Sequence, residues 1–381
     1  MSFTALLNKR SLIAGAVVVL LGVGAAVVYL NRSDARAEPA GVDNALGASA
    51  GPTWDDGQAG LGGTAPSGSA GASASASGTA ASVKPAPPGW VNVDQAAWKA
   101  QVDAYNALAM DPVPAGVGNL AEFRADCQYS HSLADDPIVA PGLPGASHMH
   151  SFVGNTVTKA DTTVADLQKY TATSCKPVQD HSAYWVPTLY DAASNKPAET
   201  TGFRVYYRSM MNSSAGQMPM PTGLRMISGD AKKKQPTPRG SQGQFYCAFY
   251  GPGDLDGVAR STNGNWPICG EGATLHFMLQ FPDCWDGQHL DSPNHKDHVA
   301  YGSGNACPKS HPVKIPAITF DIQYGVKGST AGYYLSSDPE GRSASSMHGD
   351  AFVVWDVTTM NKRTKNCVQQ RRTCDNNGYQ K

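Results

Sequence analysis

The sequence predicts a mainly β protein: an antiparallel β-sandwich or jelly-roll-like domain with long disulfide-bonded loops and a few short helices. From residue 123 onward, short apolar or aromatic runs are separated by Gly, Pro, Asn and Asp, which is typical of strands joined by turns. Several runs, such as 203–207 and 318–322, alternate at a period of two. No helical segments alternate with these runs, which argues against a parallel sheet of βαβ units.

The chain begins with a targeting segment. Lys9 and Arg10 precede the apolar run "SLIAGAVVVLLGVGAAVVYL", which ends at Leu30. The run approaches the roughly 20 residues that span a bilayer, whereas the core of a cleaved signal is usually roughly 7–15 residues. A small-x-small pattern at 35–37 offers a cleavage point. Residues 1–37 are therefore predicted as a signal peptide or a transmembrane signal anchor, with the length favouring the anchor and secretion or anchoring outside the cytoplasm in either case.

Residues 38–88 are rich in Gly, Ala, Ser and Pro and contain too few large apolar side chains to form a core. They are predicted to be a disordered linker, and residues 89–381 a single extracytoplasmic β-rich domain. This domain opens with "NVDQAAWKAQVDAYNALAM", in which Asn92 or Asp94 can cap a helix. Trp98, Val102 and Tyr105 recur at helical spacing, so we expect this helix to pack on the domain.

The cysteines and the charge indicate the compartment and exclude one class of partner. Eight cysteines follow the apolar run, an even number that indicates disulfides in an exported chain. The simplest pairing joins neighbours in order: 127–175, 247–269, 284–307 and 367–374. Lys+Arg 30 and Asp+Glu 31 nearly balance, so no nucleic acid partner is expected, and the membrane is expected to be contacted only through the N-terminal segment.

Histidines and aspartates share four polar stretches. In "GASHMHSFVGN", His148 and His150 point the same way if the segment is extended. An aspartate beside an imidazole fixes its tautomer and basicity, which suits acid–base catalysis. The candidate catalytic residues are His148, His150, Asp283, Asp286, Asp291, His295, His298, His311, His348 and Asp350. His131, His181, His276 and His289 are expected to have structural roles, with His276 as a hydrogen-bonded strand residue.

A divalent metal ion is a candidate cofactor. Three histidines with water or a carboxylate suit zinc, a histidine-rich site suits copper, and aspartates alone suit calcium. The candidate ligands are His148, His150 and His298, with residues 295–298 or His311 as sources of the third histidine. Signatures such as HExxH, G-x-S-x-G and the P-loop do not occur.

Aromatic side chains near the polar stretches suggest a sugar-binding cleft. Sugar rings stack on flat aromatic faces while their hydroxyl groups bond to carboxylates. Tyr184, Trp185 and Trp285 are therefore candidate substrate-binding residues, together with Asp136. Trp355 lies in an apolar run and is expected in the core.

Several motifs together resemble a known family of exported proteins. In order, they are "DPIVAPG…SHMHSFVGN", "SAYWVPTLY", "GLRMISGD", "FPDCWDG…LDSPNHKDHVAY", "CPKSHPV" and "MHGDAF…W". From about Phe123 to Cys374 the chain resembles the DUF1996 family, a domain of unknown function found in fungi and some bacteria. The resemblance implies an extracellular or wall-associated protein, with polysaccharide or cell-wall glycan as the partner, and it implies no reaction.

The leading functional hypothesis is an extracytoplasmic carbohydrate-active enzyme, a glycoside hydrolase or polysaccharide lyase with Asp/His acid–base groups. A hydrolase of this kind requires two carboxylates roughly 5–10 Å apart, drawn from Asp135, Asp136, Asp283, Asp286 and Asp291. Two alternatives are a non-catalytic module that binds wall polysaccharide and a metal-dependent enzyme that uses the histidines.

Overall fold

The structure, a computed structural model, describes residues 89–198, 200–234, 243–248 and 258–381. The targeting segment and the linker predicted over residues 1–88 lie outside the described residues. Among the residues that are described, no helix is both long enough and apolar enough to cross a membrane.

Short strands dominate the described residues. In chain order they are β1 (Val91–Asn92), β2 (Glu122–Cys127), β3 (Tyr129–Leu133), β4 (His150–Gly154), β5 (Cys175–Lys176), β6 (Ala183–Pro187), β7 (Leu189–Asp191), β8 (Thr200–Arg208), β9 (Leu224–Gly229), β10 (Gly243–Ala248), β11 (Ala259–Arg260), β12 (Pro267–Ile268), β13 (Thr274–Gln280), β14 (Cys284–Trp285), β15 (His289–Asp291), β16 (Val299–Ala300), β17 (Val313–Lys314), β18 (Ala317–Tyr324), β19 (Tyr333–Leu335) and β20 (His348–Val353). The helices are α1 (Gln95–Ala107), α2 (Val164–Lys169) and α3 (Val357–Arg363), with a 3-10 turn at Ala344–Ser346 and a π-helical segment at Thr364–Gln369.

Two antiparallel sheets form the body of the domain. A six-stranded sheet has the order β10-β13-β18-β8-β2-β5, and a five-stranded sheet has the order β3-β4-β6-β20-β9. The predicted alternating runs are neighbours in the six-stranded sheet, with the pairs Phe203–Ile322, Val205–Phe320 and Tyr207–Ile318. The predicted mainly β, antiparallel fold class is thus confirmed.

The two sheets pack as a sandwich. Tyr184 of β6 packs edge-on against Phe320 of β18, with ring centroids 5.7 Å apart, and its hydroxyl bonds to the Tyr207 hydroxyl of β8. Strands β8 and β18 of the six-stranded sheet therefore contribute to the same core as β6. Phe123 and Trp355 extend this core toward α3.

The outer face of the five-stranded sheet is also covered. Phe152 and Trp185 on that face form a second apolar cluster with Ile138 and with Leu167 of α2. Thr163 caps α2 in a reciprocal capping box with Asp166. Because β6 is buried on both faces, every residue of "AYWVP" is buried, which explains its continuous apolar sequence.

All four disulfides join neighbouring cysteines, as predicted: Cys127–Cys175, Cys247–Cys269, Cys284–Cys307 and Cys367–Cys374. The first joins β2 to β5 and closes a loop with a sequence separation of 48. This loop includes the segment that covers the outer face of the five-stranded sheet. Disulfides of this number indicate an oxidising compartment such as the cell exterior.

The predicted N-terminal helix is present as α1, and Asp94 is its cap. The Asp94 carboxylate accepts hydrogen bonds from the backbone N–H groups of Ala96 and Ala97. The buried face differs from the predicted stripe, because Gln101 rather than Val102 is fully buried with Tyr105. The Gln101 amide donates to the Met220 carbonyl at 3.0 Å, so a polar residue outside the predicted stripe is buried through a hydrogen bond.

Candidate metal centre

Strand pairing brings two histidines and an aspartate onto the outer face of the five-stranded sheet. His150 of β4 lies opposite Pro187 of β6. Asp350 of β20 lies opposite Trp185, two residues earlier on β6. Residues two apart in a strand share a face, so His348 lies on the same face as Asp350 and His150.

The part of the covering segment between β3 and β4, residues 134–149, adds two more polar side chains. His148 precedes β4, and Asp136 follows β3. Asp136 Oδ1 accepts backbone hydrogen bonds from Ile138 and Val139, both at 2.9 Å. The segment is thereby held in a defined turn over the ends of β3 and β4.

Asp135 fastens the covering segment at three points. Its two carboxylate oxygens accept from the backbone N–H groups of Gly145 at 2.8 Å and Ala160 at 3.0 Å. Its backbone carbonyl accepts the Nδ1–H of His150 at 2.9 Å. Asp135 therefore positions both the segment and the His150 ring, and it is a supporting residue.

The histidine–aspartate cluster consists of Asp136, His148, His150, His348 and Asp350. One ring nitrogen from each of the three histidines lies within 4.8 Å of the others, and one ligand atom each of Asp136, His150 and Asp350 meets the same limit. The ring centroids of His148 and His150 are 4.2 Å apart, and those of His148 and His348 are 5.0 Å apart. His150 belongs to both sets, so the five side chains converge on one region.

Several polar atoms of the cluster are buried without a hydrogen-bond partner. They are Nε2 of His148, Nε2 of His150 and both carboxylate oxygens of Asp350. An unsatisfied buried polar group costs about 1–3 kcal/mol, more if it is charged. Such atoms are rare in folded proteins, where a water molecule or an ion commonly supplies the missing partner.

Backbone carbonyls fix the tautomers of two of the histidines. The carbonyl of Asp135 can only accept, so His150 carries its proton on Nδ1. His348 donates in the same way from Nδ1 to the Ser346 carbonyl at 2.9 Å. In both rings Nε2 is therefore the atom with a free lone pair, and this second hydrogen bond is the usual support of a metal-bound imidazole.

Burial holds the three imidazoles in their neutral form. It lowers the pKa of His150 to about 3 and the pKa values of His148 and His348 to about 4, and the neighbouring histidines lower them further. At neutral pH each ring is a free base. Neutral imidazole is the form that binds a metal ion.

The two carboxyl groups show the opposite shift. Burial raises the pKa of Asp350 well above its ordinary value, and the Asp136 carboxylate raises it further. Burial also raises the pKa of Asp136, against the opposing effect of its two backbone hydrogen bonds. Without a cation, the pair therefore retains a proton, since two buried carboxylates close together cannot both ionise easily.

The donor set fits a first-row transition metal ion. Three neutral nitrogen ligands with one or two carboxylates suit zinc, copper, iron or manganese. Calcium prefers oxygen ligands alone, so the histidines argue against it. A divalent cation would supply a partner for the unpaired nitrogen and oxygen atoms and would favour the ionised form of Asp350.

Other predicted site residues pair with each other in the loop that follows β14. Asp286 bonds to His289 at 2.6 Å, and Asp291 bonds to His295 at 2.9 Å. The Arg225 guanidinium also lies 3.4 Å from Asp291. These contacts stabilise the loop, and none of these residues belongs to the cluster.

His298 was a predicted metal ligand, and the structure corrects this. Its Nδ1 bonds to the Ser292 hydroxyl at 3.0 Å and its Nε2 donates to the Arg225 carbonyl at 2.6 Å. His311 is likewise engaged through both nitrogens, by the Ser310 hydroxyl and the Asp297 carbonyl. Neither ring has a free lone pair, and His348 occupies the position of third histidine instead.

The predicted carboxylate pair also differs from the observed one. Asp283 accepts the Gly302 N–H at 2.7 Å beside the Cys284–Cys307 disulfide, and Asp135 is saturated by loop contacts. The carboxyl groups that meet are those of Asp136 and Asp350. Asp350 was not among the five aspartates from which the carboxylate pair of a hydrolase was expected.

The predicted sugar-stacking residues lie in the core. Tyr184, Trp185 and Trp285 each have 0% exposure, so none offers a ring face to a ligand from solvent. The Tyr184 hydroxyl donates to Asp180, and the Trp285 indole donates to the His289 carbonyl. The prediction that these rings line a sugar-binding cleft is therefore wrong for this structure, and Trp355 is in the core as predicted.

Two of the histidines that were expected to have structural roles make hydrogen bonds that link neighbouring parts of the fold. His276 bonds to Asp321 at 2.9 Å between β13 and β18. His131 bonds to the Ser130 hydroxyl and to the Thr158 carbonyl. The sequence had a signal for the third cluster histidine that was not used: His348 and Asp350 are two residues apart in an apolar strand, as His148 and His150 are in theirs.

A cavity of about 310 Å³ lies at the end of β9 and the start of β20, and its lining residues include none of the five cluster residues. It is lined by residues at the end of β9, by Lys296 and by Met347, the neighbour of His348. Lys296 Nζ donates to the Gly229 carbonyl at 2.7 Å, and Gly229 is the pairing partner of His348. The cavity and the cluster therefore share the backbone of two adjacent strands.

Comparison with known proteins identifies the domain. A family model described as a domain of unknown function, DUF1996, matches residues 136–355. The chain belongs to the DUF1996 family. The matched DUF1996 segment contains all five cluster residues and starts at one of them, Asp136. No curated protein and no solved structure matches the chain, so the evidence for a reaction comes from the site itself.

Proposed function

We propose that this protein is an exported metal-dependent enzyme that acts on polysaccharide or cell-wall glycan, with the histidine–aspartate cluster as its centre. The observation that carries the proposal is the convergence of unpaired buried atoms, Nε2 of His148 and His150 and both oxygens of Asp350, on one region. Core packing gains nothing from such atoms, because their desolvation is uncompensated. A metal ion of the zinc type would give a partner to the histidine nitrogens of the first set, and Asp350 belongs to the second set, which shares His150 with the first.

Each cluster residue has a role in this proposal. His148, His150 and His348 hold the ion through nitrogen, as in catalytic zinc sites with three protein ligands and an open position. A bound ion of this kind acts as a Lewis acid and lowers the pKa of a coordinated water. Asp350, which a bound cation would hold in its ionised form, can accept a proton as the general base that cleavage of a glycosidic bond requires. The second carboxylate of the cluster is that of Asp136, which lies beside Asp350.

The setting of the site supports action outside the cytoplasm. The disulfides indicate an oxidising compartment. In this proposal residues 1–37 export or anchor the chain, and residues 38–88 hold the domain away from the membrane surface. Glycan is the partner class because the family resemblance implies a wall-associated protein.

Burial favours a second candidate function. Asp350 is 1% exposed and His348 is 5% exposed. Ligands that are this deeply buried are more typical of a structural metal ion than of a catalytic one. In this alternative the metal stabilises a non-catalytic module that binds wall polysaccharide. Single substitutions in the cluster would then lower stability while glycan retention persists.

Metal analysis of the purified full-length protein tests the proposal. We expect one transition metal ion per chain in the wild type and in His311→Ala, which alters a histidine outside the cluster. His148→Ala and His348→Ala should lose the ion. Absence of metal from the wild type after incubation with zinc, copper, iron and manganese salts, together with an unchanged melting temperature, would contradict it.

Activity then separates the two candidates. The metal-loaded protein is assayed on a panel of neutral and acidic polysaccharides, with new reducing ends reporting cleavage and ultraviolet absorbance of an unsaturated product reporting elimination. Cleavage that depends on His148 and Asp350 supports the enzyme. Retention on polysaccharide without cleavage, in a protein that holds its metal, supports the binding module.

A further inference from the structure

The cavity beside the cluster carries positive charge at its opening. Lys233 and Lys296 line it, with Asp230 as the acidic residue among the lining side chains. The Asp230 carboxylate accepts the Lys232 backbone N–H at 2.9 Å, so it also holds the turn after β9. Among the lining residues, the formal charges of Lys233 and Lys296 exceed that of Asp230.

The lining combines this charge with an apolar floor. Ile227, Leu279 and Met347 contribute apolar surface, and the Tyr301 hydroxyl and Ser228 contribute polar groups. Tyr301 is 38% exposed, and its hydroxyl donates to the Gln280 carbonyl at 2.9 Å. A cavity with this lining accepts a ring of sugar size that bears one anionic substituent.

Lys296 is the residue that links the cavity to the cluster. One of its three N–H donors is used by the Gly229 carbonyl, which leaves donors for a ligand. Gly229 is the strand partner of His348, so the Lys296 ammonium group lies against the pair of strands that carries this histidine. A negative group on Lys296 would therefore lie within electrostatic range of the proposed metal centre.

We infer that this cavity is the substrate subsite of the cluster and that it binds an anionic substituent of the glycan, a carboxylate or a phosphate ester, through Lys296 and Lys233. The inference rests on the proposed function in so far as the bound glycan is the substrate of the cluster. The anion is the part of the substrate that fixes its position in the cavity, and the neutral ring covers the apolar floor.

Direct binding to the chelator-treated full-length protein tests the inference independently of the metal. Calorimetry is performed with three probes: an oligogalacturonate, glucose 6-phosphate and a neutral cello-oligosaccharide. We expect an anionic probe to bind more tightly than the neutral one, and added salt to weaken that binding. Which anionic probe binds distinguishes the carboxylate from the phosphate source.

Substitutions identify the binding residues. Lys296→Met and Lys233→Met retain the apolar stem and should each weaken anion binding by about tenfold, whereas Lys296→Arg retains the charge and should largely restore it. Lys99→Met, on the exposed face of α1, is the matched control and should leave binding unchanged. Circular dichroism and melting temperature confirm that the variants are folded.

Two results would overturn the inference: equal affinity for neutral and anionic probes, or anion binding that both cavity variants leave unchanged. Its failure is distinguishable from failure of the proposed function. A protein that holds metal at the cluster but ignores Lys296 retains the proposed function and loses the subsite. A protein that binds anions through Lys296 but holds no metal retains the anion-binding cavity and loses the proposed function.

Discussion

Lowering the pH from about 7 to about 5 should weaken metal binding at the cluster. The size of the effect should match competition from one proton, and not from three, for the metal-binding groups. In a solvent-exposed site, each histidine has a pKa near 6.5, so each ligand must lose a proton over most of this range before it binds. Here burial lowers the pKa of His150 to about 3 and those of His148 and His348 to about 4. The three nitrogens are free bases throughout.

The carboxyl pair supplies the one proton. Burial raises the pKa of Asp350 well above its ordinary value, so binding of an ion releases a proton from this group wherever the pH lies below that pKa. One released proton changes Kd by about tenfold per pH unit, or about 100-fold over two units, which is about 2.7 kcal/mol. Three exposed histidines would change it by a factor on the order of 10⁴.

Competition with a chelator of known affinity at pH 5, 6 and 7 measures the slope of log Kd against pH. Calorimetry in buffers of different ionisation enthalpy counts the released protons directly. Asp350→Asn should bind metal more weakly at neutral pH but with a slope near zero, since its amide carries no ionisable proton. An average slope of about two in the wild type, as three exposed histidines would give, or an unchanged slope in Asp350→Asn, would refute the reasoning.

Three further predictions concern the scaffold. Burial raises the pKa of Asp180 to about 7, so the folded chain holds a proton that the unfolded chain releases near pH 4; the contribution of Asp180 to stability should fall by about 4 kcal/mol as the pH rises between these values, and the difference in unfolding free energy between the wild type and Asp180→Asn in urea should change by about this amount over the same range. Replacing Cys127 and Cys175 together by alanine should cost about 4 kcal/mol of unfolding free energy in the same assay, because the bridge closes a loop with a separation of 48; a loss below about 1 kcal/mol would contradict this. Gly229→Ala should abolish metal uptake and lower the melting temperature, since a Cβ there lies 2.7 Å from the His348 Cα. Gly216 also has a positive φ but nothing within 4 Å of a Cβ, so Gly216→Ala should cost only about 1 kcal/mol and keep the metal.

The local pattern predicted the fold because each element carries its own signal. Alternation at 203–207 and 318–322 gave two strands that pair in register, and Asp94 gave the start of α1. Disulfide pairing between neighbours followed from the simplest assumption and is confirmed. The exception within α1 is Gln101, which is buried because Met220 and Asn361 supply hydrogen-bond partners from distant parts of the chain.

The site was only partly predictable, since its composition depends on which strands are neighbours. His148 and His150 were identifiable from their spacing alone. Their association with His348 depends on β6 lying between β4 and β20, and strand order is not encoded in local periodicity. The sequence also could not show that Trp185 and Tyr184 are covered on both faces of the sheet, because an exposed and a buried aromatic residue have the same local pattern.

The ligands of the cluster come from two parts of the chain that are distant in sequence, Asp136 to His150 and His348 to Asp350. The unfolded chain therefore has no such site, and the ion can be selected only after both segments have been brought together. For a chain that folds and forms its disulfides after export, the metal content of the exterior, and not that of the cytoplasm, determines which ion is acquired. Growth medium and expression host are then chemical variables of the protein, and the same polypeptide prepared in two compartments can differ in the element that it contains.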